Sequence, residues 1–114
     1  MGSLRTPEGK ERYEEYLSLA DLSACPLCGK ESIETFQFWK VTENSFPYDL
    51  IAKVHHMLVP KRHAVENELT PEELGELAVI KESFVHQHYE WIVEPTHPSK
   101  SIPSHFHLHL IVGK

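Results

Sequence analysis

The sequence predicts an α+β fold: an antiparallel sheet of about five strands with helices packed on it. Three observations carry this expectation. Runs rich in aromatic and β-branched residues stand at 33–43 and 53–60, and such residues favour the pleated surface of a sheet. The C-terminal run "HFHLHLIV", residues 105–112, alternates polar and apolar side chains, which is the period of a strand. Helical segments lie between these runs, too few for a parallel crossover at each step, so the helices are expected on one face of the sheet. At 114 residues the chain suits one domain, 1–114, and not two.

Residues 7–22 read as the first helix. Thr6 can cap it, Pro7 suits its first position, and Tyr13, Tyr16, Leu17 and Ala20 recur at helical spacing. The charges of "EGKERYEE" form its wet face. "ACPLCGK" is a tight turn by its Pro and Gly. "IETFQFWKVTE", 33–43, reads as one strand, broken by "NSFPYD"; "KVHHMLVP", 53–60, is the next, ended by Pro60. The second helix has a clear start, with Thr70 as cap, Pro71 at the first position and Glu73 closing a capping box. Its apolar stripe is read as Leu74, Leu77, Ala78, Phe84 and Val85. "YEWIVE", 89–94, is either a strand or the end of that helix. "PTHPSKSIPS" is a loop by its prolines and hydroxyl residues, and "HFHLHLIV" is the last strand.

Composition excludes some functions. The net charge of −6 argues against binding to polymeric nucleic acid or to an anionic membrane, while leaving room for a nucleotide in a local pocket. No apolar run is long enough to span a bilayer, and the N-terminus lacks the apolar stretch of a signal peptide. A cytoplasmic protein with no membrane association is expected. The two cysteines are too close together for a useful disulfide staple, which fits a reducing compartment.

The last strand carries the chemistry. Side-chain alternation puts His105, His107 and His109 on one face and Phe106, Leu108 and Leu110 on the other. The apolar set faces the core; the imidazoles need a metal, a phosphate or a proton to transfer. Three imidazolium ions so close would repel, so at least one ring stays neutral and nucleophilic near pH 7. A wet strand face and a plain metal-binding row are the rival readings. "CPLC", Cys25 and Cys28, has the spacing of half a zinc site. A closed site needs four ligands, and with no further cysteines two histidines must complete it. A redox pair and inert thiols are the alternatives. His56, His86, His88 and His97 are read as ordinary.

"HFHLHLI", 105–111, resembles the histidine triad (HIT) motif, in which three histidines alternate with apolar residues. "HHMLVPKRH", 55–63, resembles that family's upstream strand. "TENSFPYD", 42–49, resembles the segment shaping the nucleoside pocket in its nucleotide-sugar transferase and dinucleotide phosphorylase branch, and "LTPEELGEL" sits where the family places a helix. The resemblance covers a core of residues 25–112, leaving 1–24 as an N-terminal helical extension.

It implies a nucleotidyl hydrolase or transferase acting on the α-phosphate of a purine nucleotide conjugate: a phosphoramidate, a dinucleoside polyphosphate or a nucleotide sugar. His107 is the implied nucleophile, forming a nucleotidyl-histidine. His105 and His109 hold the phosphate, and His109 handles the leaving group's proton. His55 hydrogen-bonds to the triad or is a buried structural histidine. Asn44 contacts the ribose or is a turn residue; Phe46 and Tyr48 wall the base pocket or pack the core. Ser101, with Lys100 and Ser104 beside it, stands where hydrolase members carry a Gly-Gln-Ser-type stretch. The zinc-containing members imply a structural zinc on Cys25, Cys28, His63 and His105, no organic cofactor, and a homodimer. The rival functions are a zinc-stabilised nucleotide-binding module with little turnover, and a metal-handling protein.

Overall fold

The strand-forming runs pair into one five-stranded antiparallel sheet, ordered β1-β2-β3-β5-β4. The computed structural model describes residues 3–20, 24–96 and 102–114. The strands are β1 (Glu34–Thr35), β2 (Trp39–Glu43), β3 (Ala52–Pro60), β4 (Trp91–Val93) and β5 (Leu108–Gly113). Two helices pack on the sheet, α1 (Pro7–Leu19) and α2 (Pro71–Ile80). The α+β expectation therefore holds, but the helices do not share one face: α2 covers the apolar face, whereas α1 lies on the side of Met57 and His109.

The central pair, β3 and β5, sets the two faces. Met57 lies opposite His109, Leu58 opposite Leu108, and His56 opposite Leu110. Residues opposite one another share a face. One face carries Leu58, Leu108 and Leu110, joined by Trp39, Val41 and Phe106 and covered by Leu77, Ile80 and Val85 of the second helical stretch. The other carries His109 and Met57, with Leu27 and Val59 packed beside Met57.

The second helix starts as its sequence indicates. Thr70 Oγ1 accepts from the Glu73 N–H at 3.1 Å, and the Glu73 carboxylate accepts from the Thr70 N–H at 2.9 Å. Its buried side is Glu73, Leu77 and Ile80; Leu74 and Ala78, expected in the apolar stripe, are exposed. The reason is the cap itself. The Glu73 carboxylate is held inward by Thr70 and by Arg62 at 2.8 Å, and the Trp39 indole N–H donates to the Glu73 carbonyl at 2.8 Å. Past Ile80 the helix widens into a π-helical segment, Lys81–Val85, before a last turn at His86–His88.

Three boundaries differ from expectation. The first helix stops at Leu19, because Ala20 is extended while its N–H still bonds the Tyr16 carbonyl; residues 21 and 22 lie outside the described part. The run 33–43 is a hairpin and not one strand: Thr35 pairs with Lys40, and the Phe36 N–H donates to the Trp39 carbonyl at 2.8 Å. The corner is set by Glu76 of α2, whose carboxylate accepts from the N–H groups of Gln37 and Phe38 at 3.0 and 2.6 Å. The last strand begins at Leu108 and not at residue 105. Its partner β3 ends at Pro60, and the Phe106 N–H turns to the Ala64 carbonyl at 2.7 Å. The segment 89–94, left open between strand and helix, contains strand β4 against β5. Among the described residues no helix is long and apolar enough to cross a membrane.

Candidate active site and metal cluster

Pro60 closes β3 just where the chain leading into β5 passes beside it, and this fixes the first triad ring. His105 is wholly buried, and its Nε2 lies 3.0 Å from the Pro60 carbonyl oxygen. A carbonyl only accepts, so Nε2 carries the proton and Nδ1 the lone pair. That Nδ1 lies 3.4 Å from Cys25 Sγ and 3.5 Å from Cys28 Sγ, while His63 Nδ1 lies 3.1 Å from Cys28 Sγ. All four donor atoms fall within 4.8 Å of one another. The "CPLC" turn, the segment after β3 and the approach to β5 thus bring two sulfurs and two imidazole nitrogens to one point. Tetrahedral zinc, with bonds of about 2.0–2.3 Å, places its ligand atoms roughly 3.3–3.8 Å apart. The donor set fits such an ion, and the Pro60 carbonyl is the kind of outer partner that holds a ligating histidine in one tautomer.

The same argument fixes the second ring. His107 Nδ1 lies 2.9 Å from the His105 carbonyl oxygen, so Nδ1 donates and Nε2 is the nitrogen with the lone pair. The third ring belongs to a relay. The Tyr48 backbone N–H donates to His55 Nδ1 at 2.9 Å. A neutral His55 must then carry its proton on Nε2, which lies 2.7 Å from His109 Nδ1 and donates to it. His109 in turn carries its proton on Nε2, 3.3 Å from the Tyr48 hydroxyl. Burial holds both rings neutral: it is the main reason the pKa of His55 falls from 6.5 to about 4 and that of His109 to about 3. Arg5, His107 and the histidines' own mutual repulsion add to it.

His107 and His109 face an open cleft of about 730 Å³, within the size range of small-molecule sites. Asn44 and Phe46 line it; His63 and Cys25 border it from the metal cluster. Asn44 also does the work of a turn residue, since its Oδ1 accepts from the Phe46 N–H at 2.8 Å. Tyr48 is buried behind His109 and does not line the cleft. Ser101 lies outside the described residues; Ser104 is at the cleft wall. His56 sits on the opposite face and meets the Tyr89 hydroxyl at 2.7 Å.

Sequence reasoning missed one wall. Tyr13 and Tyr16 of α1 pack on Phe46, with ring centroids 5.4 and 4.7 Å apart, and Arg5 and Lys30 bring two cations to the lining. The only signal was that the apolar stripe of α1 is built from tyrosines, which suit a half-wet surface. Although the chain holds 17 acidic residues against 11 Lys and Arg, no Asp or Glu is among the described residues lining this cleft.

No protein-family model matches this chain, and no curated protein matches it.

Proposed function

We propose that the protein is a histidine triad nucleotidyl hydrolase or transferase, acting at the α-phosphate of a purine nucleotide conjugate. The observation that carries this reading is His107: its Nδ1–H is tied to the His105 carbonyl, leaving the Nε2 lone pair on a ring that lines a cleft with no carboxylate among its described residues. An imidazole so oriented attacks phosphorus without a separate base. A P–Nε2 bond forms as the bond to the leaving group breaks. The bound polyanion favours protonation of His109, and His109 is the proposed donor of the leaving atom's proton. In the second half, water adds to phosphorus, His109 takes its proton, and the P–Nε2 bond breaks to return the lone pair to His107. The products are a nucleoside monophosphate and the protonated leaving group. With an acceptor other than water the same cycle is a transfer.

The two cysteines and two histidines would hold zinc, since a mixed sulfur and nitrogen set of four favours that ion. With all four positions filled by protein, zinc there would cross-link the chain and take no part in bond-making. The reading includes a homodimeric, cytoplasmic protein with no organic cofactor. A second reading, a nucleotide-binding module with little turnover, draws on the burial of His107, which is 2% exposed.

A hydrolysis panel separates the two. Adenosine and guanosine phosphoramidates, dinucleoside polyphosphates and a nucleoside-diphosphate sugar are incubated with wild type and His107→Ala, and monophosphate is measured. Monophosphate that is lost in His107→Ala supports the enzyme. Binding of nucleotide without product from any of them overturns it in favour of the module.

A further inference from the structure

We propose that Arg5, from the segment ahead of α1 and outside the residues that resemble the triad family, is an anion-binding residue of the cleft and receives phosphate oxygens of the ligand. The proposal rests on the nucleotidyl reading only for the identity of that ligand.

Arg5 lines the same cleft as His107 and His109, and its guanidinium is held in place on three sides. Its Nε–H donates to the Phe46 carbonyl at 3.0 Å. Its guanidinium carbon stands 4.2 Å from the Tyr13 ring centroid and 5.1 Å from that of Tyr48. Aromatic faces fix a guanidinium plane by stacking, and the Nη groups then form a rigid fork matched to phosphate.

No carboxylate of the described residues pairs with the fork. Among the described residues the ion pairs are Arg12 with Asp49 and Arg62 with Glu73. The acid next to this segment, Asp49, is already engaged: it accepts from the Thr6 N–H at 2.7 Å and from the Thr6 hydroxyl at 2.8 Å, besides its contact with Arg12. A half-buried cation beside two buried histidines, with no counter-charge among the described residues, is unfavourable. An anion entering the cleft removes that cost, which is what makes the arrangement a binding device.

The segment is also built to stay there. Thr6 caps α1 by accepting from the Gly9 N–H at 3.1 Å while it bonds Asp49. Gly9 lets the helix start close against that carboxylate: a Cβ at this position would stand 2.6 Å from both Asp49 oxygens. Asp49 thereby clasps residues 6–9 and sets where Arg5 points.

The test measures binding of AMP, inorganic pyrophosphate and uncharged adenosine to the full chain, each by competition, in wild type, Arg5→Met and Arg5→Lys, with melting temperatures alongside. Hydrogen bonds to a charged group are worth about 1.5–3 kcal/mol, or roughly 10- to 100-fold in affinity. Arg5→Met should weaken AMP and pyrophosphate by that factor, flatten their salt dependence and leave adenosine within about twofold. Should Arg5→Met fold poorly, Arg5→Lys decides: a loss of several-fold for AMP relative to adenosine supports the site. Equal affinities for AMP in wild type and variants overturn it, as does a parallel loss for adenosine, or wild type that binds neither anion. The two readings fail separately. Arg5-dependent AMP binding without turnover sinks the enzyme and keeps Arg5; turnover with an unchanged KM in Arg5→Met keeps the enzyme and sinks Arg5.

Discussion

His55 Nε2 lies 2.7 Å from His109 Nδ1, and the proton between them can belong only to His55. The Tyr48 backbone N–H occupies the other nitrogen of His55, so a neutral ring has nowhere else to carry it. That single backbone donor, seven residues upstream, selects the tautomer of a ring on another strand. It leaves His109 with a proton on Nε2, the nitrogen near the Tyr48 hydroxyl.

Removing the selector should therefore damage chemistry more than binding. His55→Phe keeps a ring of similar size but frees His109 to take either tautomer. We expect kcat to fall by about 10- to 100-fold, as for other residues that orient a functional histidine, while KM moves by less than about threefold. Steady-state kinetics on a responsive substrate reads both; a change in KM alone would show that His55 only packs.

The neutral state of the pair predicts a pH signature. Both pKa values lie below the ordinary 6.5, at about 4 for His55 and about 3 for His109. The groups facing them are Arg5, His56, His107 and Tyr48. A depressed histidine favours the folded state above pH 6.5, where neither state binds the proton. Below that, the unfolded chain binds protons the folded one refuses. Stability falls between pH 6.5 and the folded values, with a slope of up to about 1.4 kcal/mol per pH unit for each ring. Ring-proton NMR should show His55 and His109 still neutral at pH 5; a midpoint near 6.5 for His109 would refute the buried relay.

The hairpin at residues 34–43 depends on α2 in a way that mutation can expose. Glu76→Ala removes the acceptor for the Gln37 and Phe38 N–H groups. The loss should cost about 1–2 kcal/mol and lower the melting temperature by roughly 4–8 °C. Glu76→Gln, which keeps an acceptor oxygen, should recover part of it. Thermal unfolding followed by circular dichroism makes the comparison.

That same corner marks a limit of reading from sequence. "IETFQFWKVTE" has no Gly, Pro, Asn or Asp to announce a turn, and the reason for its turn is a carboxylate far along the chain. The strands, the helix cap at Thr70 and the alternation of residues 105–110 were legible because each is written within a few neighbours. The alternation even survives where the strand does not: His105 and His107 precede the ladder, yet Phe106 still packs with Leu108 and Leu110. Cys25 and Cys28 asked for two more donors by themselves, but the choice of His63 and His105 among nine histidines came from the resemblance alone, and the fold now gathers them. Arg5 was silent because its meaning lies in what surrounds it.

The candidate metal cluster and His107, the proposed nucleophile, are linked through His105, and this gives the last prediction. His105 offers its side chain to the cysteines and its carbonyl to His107. Without the proposed metal the His105 ring is held by the Pro60 carbonyl alone, which loosens the segment whose carbonyl holds the His107 tautomer. Cys28→Ser, or extraction with a strong chelator, should thus do two things. The melting temperature should fall by well over 10 °C, since a structural zinc contributes directly to folding. In protein kept folded at low temperature, kcat should drop at least tenfold, although a closed four-ligand site touches no substrate. Stoichiometry is read by atomic spectroscopy, with one zinc per chain expected in wild type. Metal-free protein with full kcat would show that the cluster only braces the fold; a Cys28→Ser variant that keeps its zinc and its melting temperature would remove the metal assignment itself.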